Sequence, residues 1–144
     1  MRISDVLQTK GDAVVTTSPD ATVRDLVALL AEHNIGAVVV STSDETVAGI
    51  VSERDIVRGL VDGVEVLDAP VSQIMTTQVR TADPHESVHD LMRLMSEHRV
   101  RHVPVVVGGV LHGIVSIGDV VKSRIGELEF ERDQLSSYVS NSQS

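Results

Sequence analysis

Apolar residues in this chain follow two patterns, helical spacing and short β-branched runs. Four of them fall on one predicted helical face: Val23, Leu26, Val27 and Leu30. Thr22 precedes this face and belongs to a residue type that caps helices. The segments 36–40 and 47–51 are valine-rich and too short for helices, so they predict the two strands of a hairpin. With a short apolar piece at 13–16 and renewed helical spacing after Ser52, the pattern predicts strand, helix, strand, strand, helix.

This stretch of sequence is then repeated with substitutions. Pro19-Asp-Ala-Thr-Val-Arg-Asp-Leu returns as Pro84-His-Glu-Ser-Val-His-Asp-Leu, with an offset of 65 residues. Gly49-Ile-Val-Ser-Glu-Arg-Asp returns as Gly113-Ile-Val-Ser-Ile-Gly-Asp, with an offset of 64. A single deletion therefore falls between residues 40 and 49. We expect a loop there, because a deletion inside a strand would turn its buried face outward.

The second copy is predicted to contain the same elements: a short strand at 78–81, a long helix from Val88, strands at 101–107 and 110–115, and a helix after Ser116. Gly108 and Gly109 form the turn between its two hairpin strands. A short helix is predicted ahead of each copy, at 3–7 and 71–75. Residues 62–70 connect the two copies.

Two copies of this size predict one shared structure. Each half of roughly 60 residues is too small to bury a sufficient core alone, and two copies are too few for a solenoid. We expect an α/β (α+β) fold of two pseudo-symmetric units, residues 1–62 and 63–125, packed as one module. Residues 126–144 follow as a charged helix with a frayed polar end. Apolar positions near heptad spacing in this helix predict contact with another chain.

Composition narrows the class of partner. The formal charge of −9 argues against nucleic acid or an anionic membrane surface, since phosphates are held by clustered Lys and Arg. Cysteine is absent, which fits the cytoplasm, and no segment resembles a signal peptide or a membrane span. Because the only aromatic residues are Phe130 and Tyr138, the core of the two copies is expected to be aliphatic.

One motif suggests a metal-dependent hydrolase. His85-Glu-Ser-Val-His89 matches the HExxH pattern, in which two histidines one helical turn apart bind zinc. Ser87 opposes this interpretation, since by the repeat it stands in the place of Thr22 and should cap the helix, leaving His85 outside it. No third ligand is apparent. The hydrolase is kept as an alternative that zinc content would test.

Ser/Thr-x-x-Asp spacing occurs at four helix starts: Thr22, Ser52, Ser87 and Ser116. Capping and helix-dipole effects of about 1 kcal/mol explain this spacing without any ligand. Two of the four starts directly follow a Gly-Ile-Val strand. In that setting a helix N-terminus offers free N–H groups to an anion, and Asp55 and Asp119 can accept hydrogen bonds from ribose hydroxyls.

These features together resemble a tandem pair of cystathionine β-synthase (CBS) domains. Each copy ends in Gly-Ile-Val-Ser-x-x-Asp, and one carries His102-Val-Pro-Val, so the resemblance covers nearly the whole chain. It implies a regulatory, non-catalytic module that forms homodimers and binds an adenine nucleotide such as AMP, ADP, ATP or NAD, or S-adenosylmethionine. Most relatives are attached to an enzyme or transporter. This chain is expected to stand alone and to act through dimer geometry or a partner protein.

The resemblance also implies two composite pockets, each joining a Ser-x-x-Asp helix start to early strand residues of the other copy. The first is expected to use Ser52, Arg54, Asp55, Val79, Thr81, Arg101, His102 and Pro104. The second is expected to use Ser116, Asp119, Thr16, Thr17, Gly36, Ala37 and Val38.

The two pockets differ in charge. Where the first has Arg54 and the pair Arg101-His102, the second has Gly118 and the pair Gly36-Ala37. Arginine offers forked donors that suit phosphate, so we expect the first pocket to bind the more highly charged part of a nucleotide. Two alternatives stay open: Arg54 as a solvated helix residue, and the whole chain as an interaction module whose clefts are empty.

Overall fold

The computed structural model describes residues 1–11, 13–43 and 45–142, with side chains up to residue 140. Residues 143 and 144, part of the expected frayed end, lie outside the described residues. The first copy contains α1 (Ile3–Lys10), β1 (Thr16–Thr17), α2 (Val23–His33), β2 (Ala37–Val40), β3 (Gly49–Ser52) and α3 (Glu53–Leu60). The second contains α4 (Val88–His98), β4 (His102–Val107), β5 (Val110–Ser116) and α5 (Ile117–Ser142). Between them lie short 3-10 helices at Val64–Asp68 and Val71–Gln73.

The mixed α/β class is confirmed, and the elements follow the predicted order except for the strand expected at 78–81. β2 and β3 form an antiparallel hairpin in which Ala37 lies opposite Ser52, and β4 and β5 form its counterpart with His102 opposite Ser116. Gly108 and Gly109 make the tight turn of the second hairpin with φ values of 57° and 81°, which glycine adopts without strain. The deletion predicted between residues 40 and 49 falls between β2 and β3.

The leading strand differs between the copies. β1 pairs in parallel with β2 over two residues, whereas in the second copy only Ala82 pairs with β4, opposite Val105. Ala82 N–H donates to the Pro104 carbonyl at 3.0 Å. Pro104 has no N–H, so it cannot donate the next bond of the ladder to the Arg80 carbonyl. The strand predicted at 78–81 is therefore reduced to a single bridge one residue further on.

Two aliphatic cores lie side by side. The first packs α2, β2, β3 and α3 together and includes Val23, Leu26 and Val51. The second packs α4, β4, β5 and the start of α5, and it also buries Ile3 and Val6 of α1. The helix that precedes the first copy in sequence thus belongs to the core of the second.

The exchange is mutual. Val71, which precedes the second copy, is fully buried in the first core. Matching backbone hydrogen bonds hold the two leading segments: Ile3 N–H donates to the Glu86 carbonyl at 2.9 Å, and Val71 N–H donates to the Ala21 carbonyl at 2.8 Å. Each core is completed by the segment that leads the other copy.

The last helix runs well past the second core. α5 is continuous over 26 residues, and its side chains from Arg132 to Ser140 are exposed. Phe130 and Tyr138 are 65% and 74% exposed, so neither aromatic ring contributes to the two cores. Among the described helices, none combines the length and the apolar character that crossing a bilayer requires.

Candidate functional site

All four Ser/Thr-x-x-Asp positions cap their helices as predicted. In each, the side-chain oxygen of the Ser or Thr accepts from the N–H of the Asp three residues later. The distances are 3.1 Å at Thr22, 3.0 Å at Ser87, 3.4 Å at Ser52 and 3.1 Å at Ser116. At Ser52 and Ser116 the bond is reciprocal, because the serine N–H donates to the aspartate Oδ2 at 2.9 Å in both. The helices that directly follow a strand therefore have a reciprocal cap, which holds their aspartates at the helix start.

A cleft of about 700 Å³ opens beside the start of α3. Because Ala37 lies opposite Ser52 in the hairpin, Gly36 and Ala37 border the helix start from within the same copy. Arg101 and His102 approach it from the second copy. The other lining residues are Ile50, Val51, Glu53, Arg54, Asp55, Val57, Arg58, Thr76, Arg99 and Val100. The cleft thus combines both copies around one helix N-terminus.

Four arginines line this cleft: Arg54, Arg58, Arg99 and Arg101. Within the described residues, none of the four has a carboxylate oxygen within ion-pair distance, although five other cations of the chain do. The chain has only 12 Lys and Arg against 21 Asp and Glu. In so acidic a protein, four unpaired arginines on one cleft favour binding of an anion.

Arg99 also has an unusual backbone conformation. It ends α4 in the left-handed region with φ 53° and ψ 40°, where the first copy has Asn34 at φ 51°. Asparagine tolerates this region, whereas a side chain such as arginine costs roughly 1–2 kcal/mol there. Strain of this kind clusters at functional sites, so Arg99 is a candidate for ligand contact.

His102 lies where the two copies meet. A Cβ built on Gly36 would be 3.2 Å from Glu53 Oε1 and 3.7 Å from the His102 ring, so both side chains use the room that glycine leaves. Burial lowers the pKa of His102, and the nearby Lys10 ammonium lowers it further, while Asp119 and Glu53 oppose these effects only in part. The ring is therefore held mainly neutral at neutral pH.

The helix start at Ser116 is occupied by a side chain of α1. Lys10 Nζ donates to Asp119 Oδ2 at 2.7 Å and to the Ile114 carbonyl at 2.7 Å. Burial would raise the pKa of Asp119, but the hydrogen bonds from Lys10 and from Ser116 outweigh it and lower the pKa below its usual value. Asp119 is an ionised carboxylate with a cation already bound to it.

The family profile for the CBS domain matches residues 3–62 and 71–126, which is most of the chain. The chain belongs to the CBS-domain family. CBS domain-containing protein CBSX3, mitochondrial, from Arabidopsis thaliana is 37% identical over 95% of this chain and 71% of its own length. The crystal structure of CBS-domain containing protein ATU1752 from Agrobacterium tumefaciens is 42% identical with a TM-score of 0.83, covering 86% of this chain and 99% of that one.

A more distant CBS pair was solved with ligands. Protein MJ0100, in complex with 5'-methylthioadenosine and S-adenosyl-L-methionine, is 24% identical, with a TM-score of 0.79 over 88% of this chain and 98% of that one. At this identity the likeness shows the shared CBS fold. The resemblance to a CBS pair inferred from the two Gly-Ile-Val-Ser-x-x-Asp motifs is confirmed at the level of family and fold.

The CBS pair brings together only part of each expected pocket. Ser52, Arg54, Asp55, Arg101 and His102 share the cleft, but Val79, Thr81 and Pro104 are not among the described residues that line it, and Pro104 is buried. Gly36 and Ala37, expected with Ser116, border Ser52 instead. Val38 is fully buried, and Thr16 and Thr17 pair with β2. The hairpin register explains the position of Gly36 and Ala37, because it sets them beside the helix start of their own copy. Arg101 and His102 lie at the equivalent positions beside Ser116 and also reach the cleft beside Ser52.

The pockets expected from the sequence left out three cations of the CBS pair. Arg58 lies one turn after Arg54 on α3, a spacing that could have placed it on the same face. Arg99 is two residues before Arg101 and occupies the position of a helix-ending asparagine in the first copy. Lys10 could not have been found by pattern, because its contacts with Asp119 depend on the exchange of α1 between the cores.

The HExxH motif does not form the zinc-peptidase arrangement. Ser87 caps α4, and His85 lies before the helix with its N–H bonded to Asp83 Oδ1 at 2.8 Å. His85 and His89 therefore do not share a helical face. In the part of the chain that the structure describes, no three His, Asp or Glu side chains are grouped as metal ligands.

The lowered pKa of His102 predicts a pH-dependent stability. Below the ordinary value of 6.5 the unfolded chain binds a proton at this residue more readily than the folded chain, so the folded state loses stability as pH falls from 7.5 to 5.5. Substituting His102→Gln should make this loss smaller. Urea unfolding at the two pH values measures it, with the exposed His85→Gln as matched control. An unchanged pH dependence in His102→Gln would contradict this assignment.

Proposed function

We propose that this CBS pair is a non-catalytic regulatory module that binds an adenine nucleotide in the cleft beside Ser52. The observation that carries the proposal is the set of four arginines around a capped helix N-terminus, none of which has a carboxylate partner among the described residues. Arginine presents forked N–H donors that match phosphate oxygens, and the start of α3 adds backbone N–H groups with a favourable dipole.

The dimensions and walls of the cleft suit a nucleotide. Its volume of about 700 Å³ is within the usual range for small-molecule sites. Ile50 and Val57 provide an aliphatic wall for the base, and neither Phe130 nor Tyr138 lines the cleft. Asp55 Oδ2 already accepts from Ser52, so a ribose hydroxyl at this end would add to an existing hydrogen-bond network.

The charge of the cleft favours phosphate-rich ligands. S-adenosylmethionine, which the MJ0100 pair binds, has a cationic sulfonium centre and no phosphate. Four unpaired arginines would repel such a cation and attract a di- or triphosphate. We infer that ATP, ADP or NAD binds here in preference to AMP, and AMP in preference to S-adenosylmethionine.

The rival function is an interaction module whose cleft holds no ligand. On that account the capped serines and aspartates only stabilise helix starts, and the arginines are solvated. The two functions differ in what happens when the cleft arginines are neutralised in pairs.

Replacing Arg54 and Arg101 with glutamine should abolish stabilisation by ATP. Ligand at 100 times its dissociation constant stabilises a protein by about 2.7 kcal/mol. Two charged hydrogen bonds of about 1.5–3 kcal/mol each are lost, so affinity should fall about 100-fold or more. Thermal shift with ATP, ADP, AMP, NAD and S-adenosylmethionine measures the effect in both proteins.

The matched control is Arg24→Gln with Arg93→Gln, which removes the same charge from exposed ion pairs outside the cleft. This control should keep the full ATP shift. An equal loss in both double variants would place the ligand elsewhere, and no shift of the unsubstituted protein with any of the five compounds would favour the ligand-free module.

We further propose that the CBS pair acts as a homodimer in the cytoplasm. Val57 on α3, Val61 directly after α3, and their equivalents Val121 and Ile125 on α5 are all exposed, at 63%, 81%, 49% and 51%. Apolar stripes of this kind on two helices are typical of an interface between subunits. A ligand that orders the cleft beside α3 could change how such helices pair, if it favours one arrangement.

A charge placed on this stripe should separate the subunits. In Val121→Asp, pairing would bury a carboxylate without a partner, so sedimentation equilibrium should give the mass of one chain where the unsubstituted protein gives two. Val64→Asp, at a 69% exposed position in the connector, is the control and should keep the mass of two chains. A single-chain mass for the unsubstituted protein would contradict the homodimer.

A further inference from the structure

The Lys10 side chain ends at the start of α5. This position is equivalent to the start of α3, where the proposed nucleotide site lies. Its ammonium contacts Asp119 Oδ2 and the Ile114 carbonyl, both at 2.7 Å. The side chains of the pair are only 33% and 25% exposed, so the contact is partly withdrawn from water. Asp119 Oδ2 also accepts from Ser116 N–H at 2.9 Å, which leaves this oxygen with two strong donors.

Within the described residues, the first copy has no cation in the place of Lys10. Asp55, the equivalent of Asp119, has no Lys or Arg nitrogen in ion-pair distance among the described residues. The carbonyl of Ile50, the equivalent of Ile114, accepts instead from the backbone N–H of Thr76 at 2.8 Å. Both aspartates thus accept from their capping serine, but the carbonyl of the first copy accepts from a backbone amide, whereas in the second copy Lys10 donates to the carbonyl and to the aspartate.

A difference in length explains how Lys10 reaches this point. The leading segment Ile3-Ser-Asp-Val-Leu matches Val71-Ser-Gln-Ile-Met with an offset of 68, whereas the strands that follow match with an offset of 65. The first copy therefore has three additional residues between the leading segment and the strand. α1 is a helix of eight residues that ends at Lys10, while its counterpart is a 3-10 helix of three, Val71–Gln73.

We propose that the Lys10 ammonium takes the place of a ligand at the second helix start, so that each chain binds one nucleotide. The inference deepens the proposed function, because it assumes that the arginine-lined cleft is the nucleotide site. With Lys10 in place, the carboxylate of Asp119 is neutralised and its Oδ2 is occupied. A ribose hydroxyl could bind Asp119 Oδ2 only by displacing a charge-assisted hydrogen bond stronger than its own, and beside the ammonium the whole carboxylate is a weaker acceptor.

Isothermal titration calorimetry with ATP, on the full chain, tests this stoichiometry. We expect about one ATP per chain for the unsubstituted protein and about two for Lys10→Met, which keeps the length of the side chain and removes its charge. Lys10→Arg keeps the cation and should stay at one. Lys122→Met, an exposed lysine on α5, is the matched control for charge and should also stay at one.

Each outcome decides between this inference and the proposed function. Binding of one ATP by both the unsubstituted protein and Lys10→Met overturns the role of Lys10 and leaves the arginine-lined cleft intact. No binding by the unsubstituted protein with binding of one by Lys10→Met supports Lys10 and overturns the proposed function. Two sites in the unsubstituted protein overturn the inference, and no binding by either protein overturns both. If Lys10→Met does not fold, as circular dichroism would show, Lys10→Gln replaces it.

Discussion

Each half of this chain is completed by the segment that leads the other half. Ile3 and Val6 of α1 are buried in the second core, and Val71 is buried in the first. Neither half of roughly 60 residues buries enough apolar surface alone, so the exchange holds the two copies in one structure. It also sets the face they share, where Arg101 and His102 of one copy meet the start of α3 in the other.

The same exchange makes the two helix starts unequal. The duplication placed a serine cap and an aspartate at each, but the longer leading helix of the first copy delivers Lys10 to only one of them. Around the other lie four arginines that have no carboxylate partner in the part of the chain that the structure describes. One end of the shared face is thus neutralised within the chain, while the other keeps a positive charge that a bound anion would balance.

Much of the fold could be predicted from the sequence because its determinants are local. The long helices, the hairpins, the Gly108-Gly109 turn and the four caps each depend on residues close together in the chain. The placement of α1 could not be predicted, since apolar spacing at Ile3 and Val6 reports that a face is buried and not which core buries it. For the same reason the contact between Lys10 and Asp119 was missed.

The candidate site was predicted in part. Resemblance to a CBS pair implied one pocket with Ser52, Asp55 and Arg101, and these three residues line one cleft. Gly36 and Ala37 were expected with the other helix start, but they border Ser52. Their position could not be predicted, because the helix start that a strand end faces depends on hairpin register and on the packing of the two cores. The strand near Ala82 is reduced to one bridge because Pro104 has no N–H to donate. The sequence shows the proline, but its effect on pairing could be predicted only if the partner strand were known.

A crystal of the protein grown with ATP tests the location of the nucleotide most directly. We predict difference density in the cleft beside Ser52, with phosphate oxygens within about 3 Å of the guanidinium groups of Arg54 and Arg101. The second helix start should keep its Lys10–Asp119 contact and hold no nucleotide. Density for ATP at Asp119 with the arginine-lined cleft empty, or no bound ATP at saturating concentration, would contradict the assignment of this cleft as the nucleotide site.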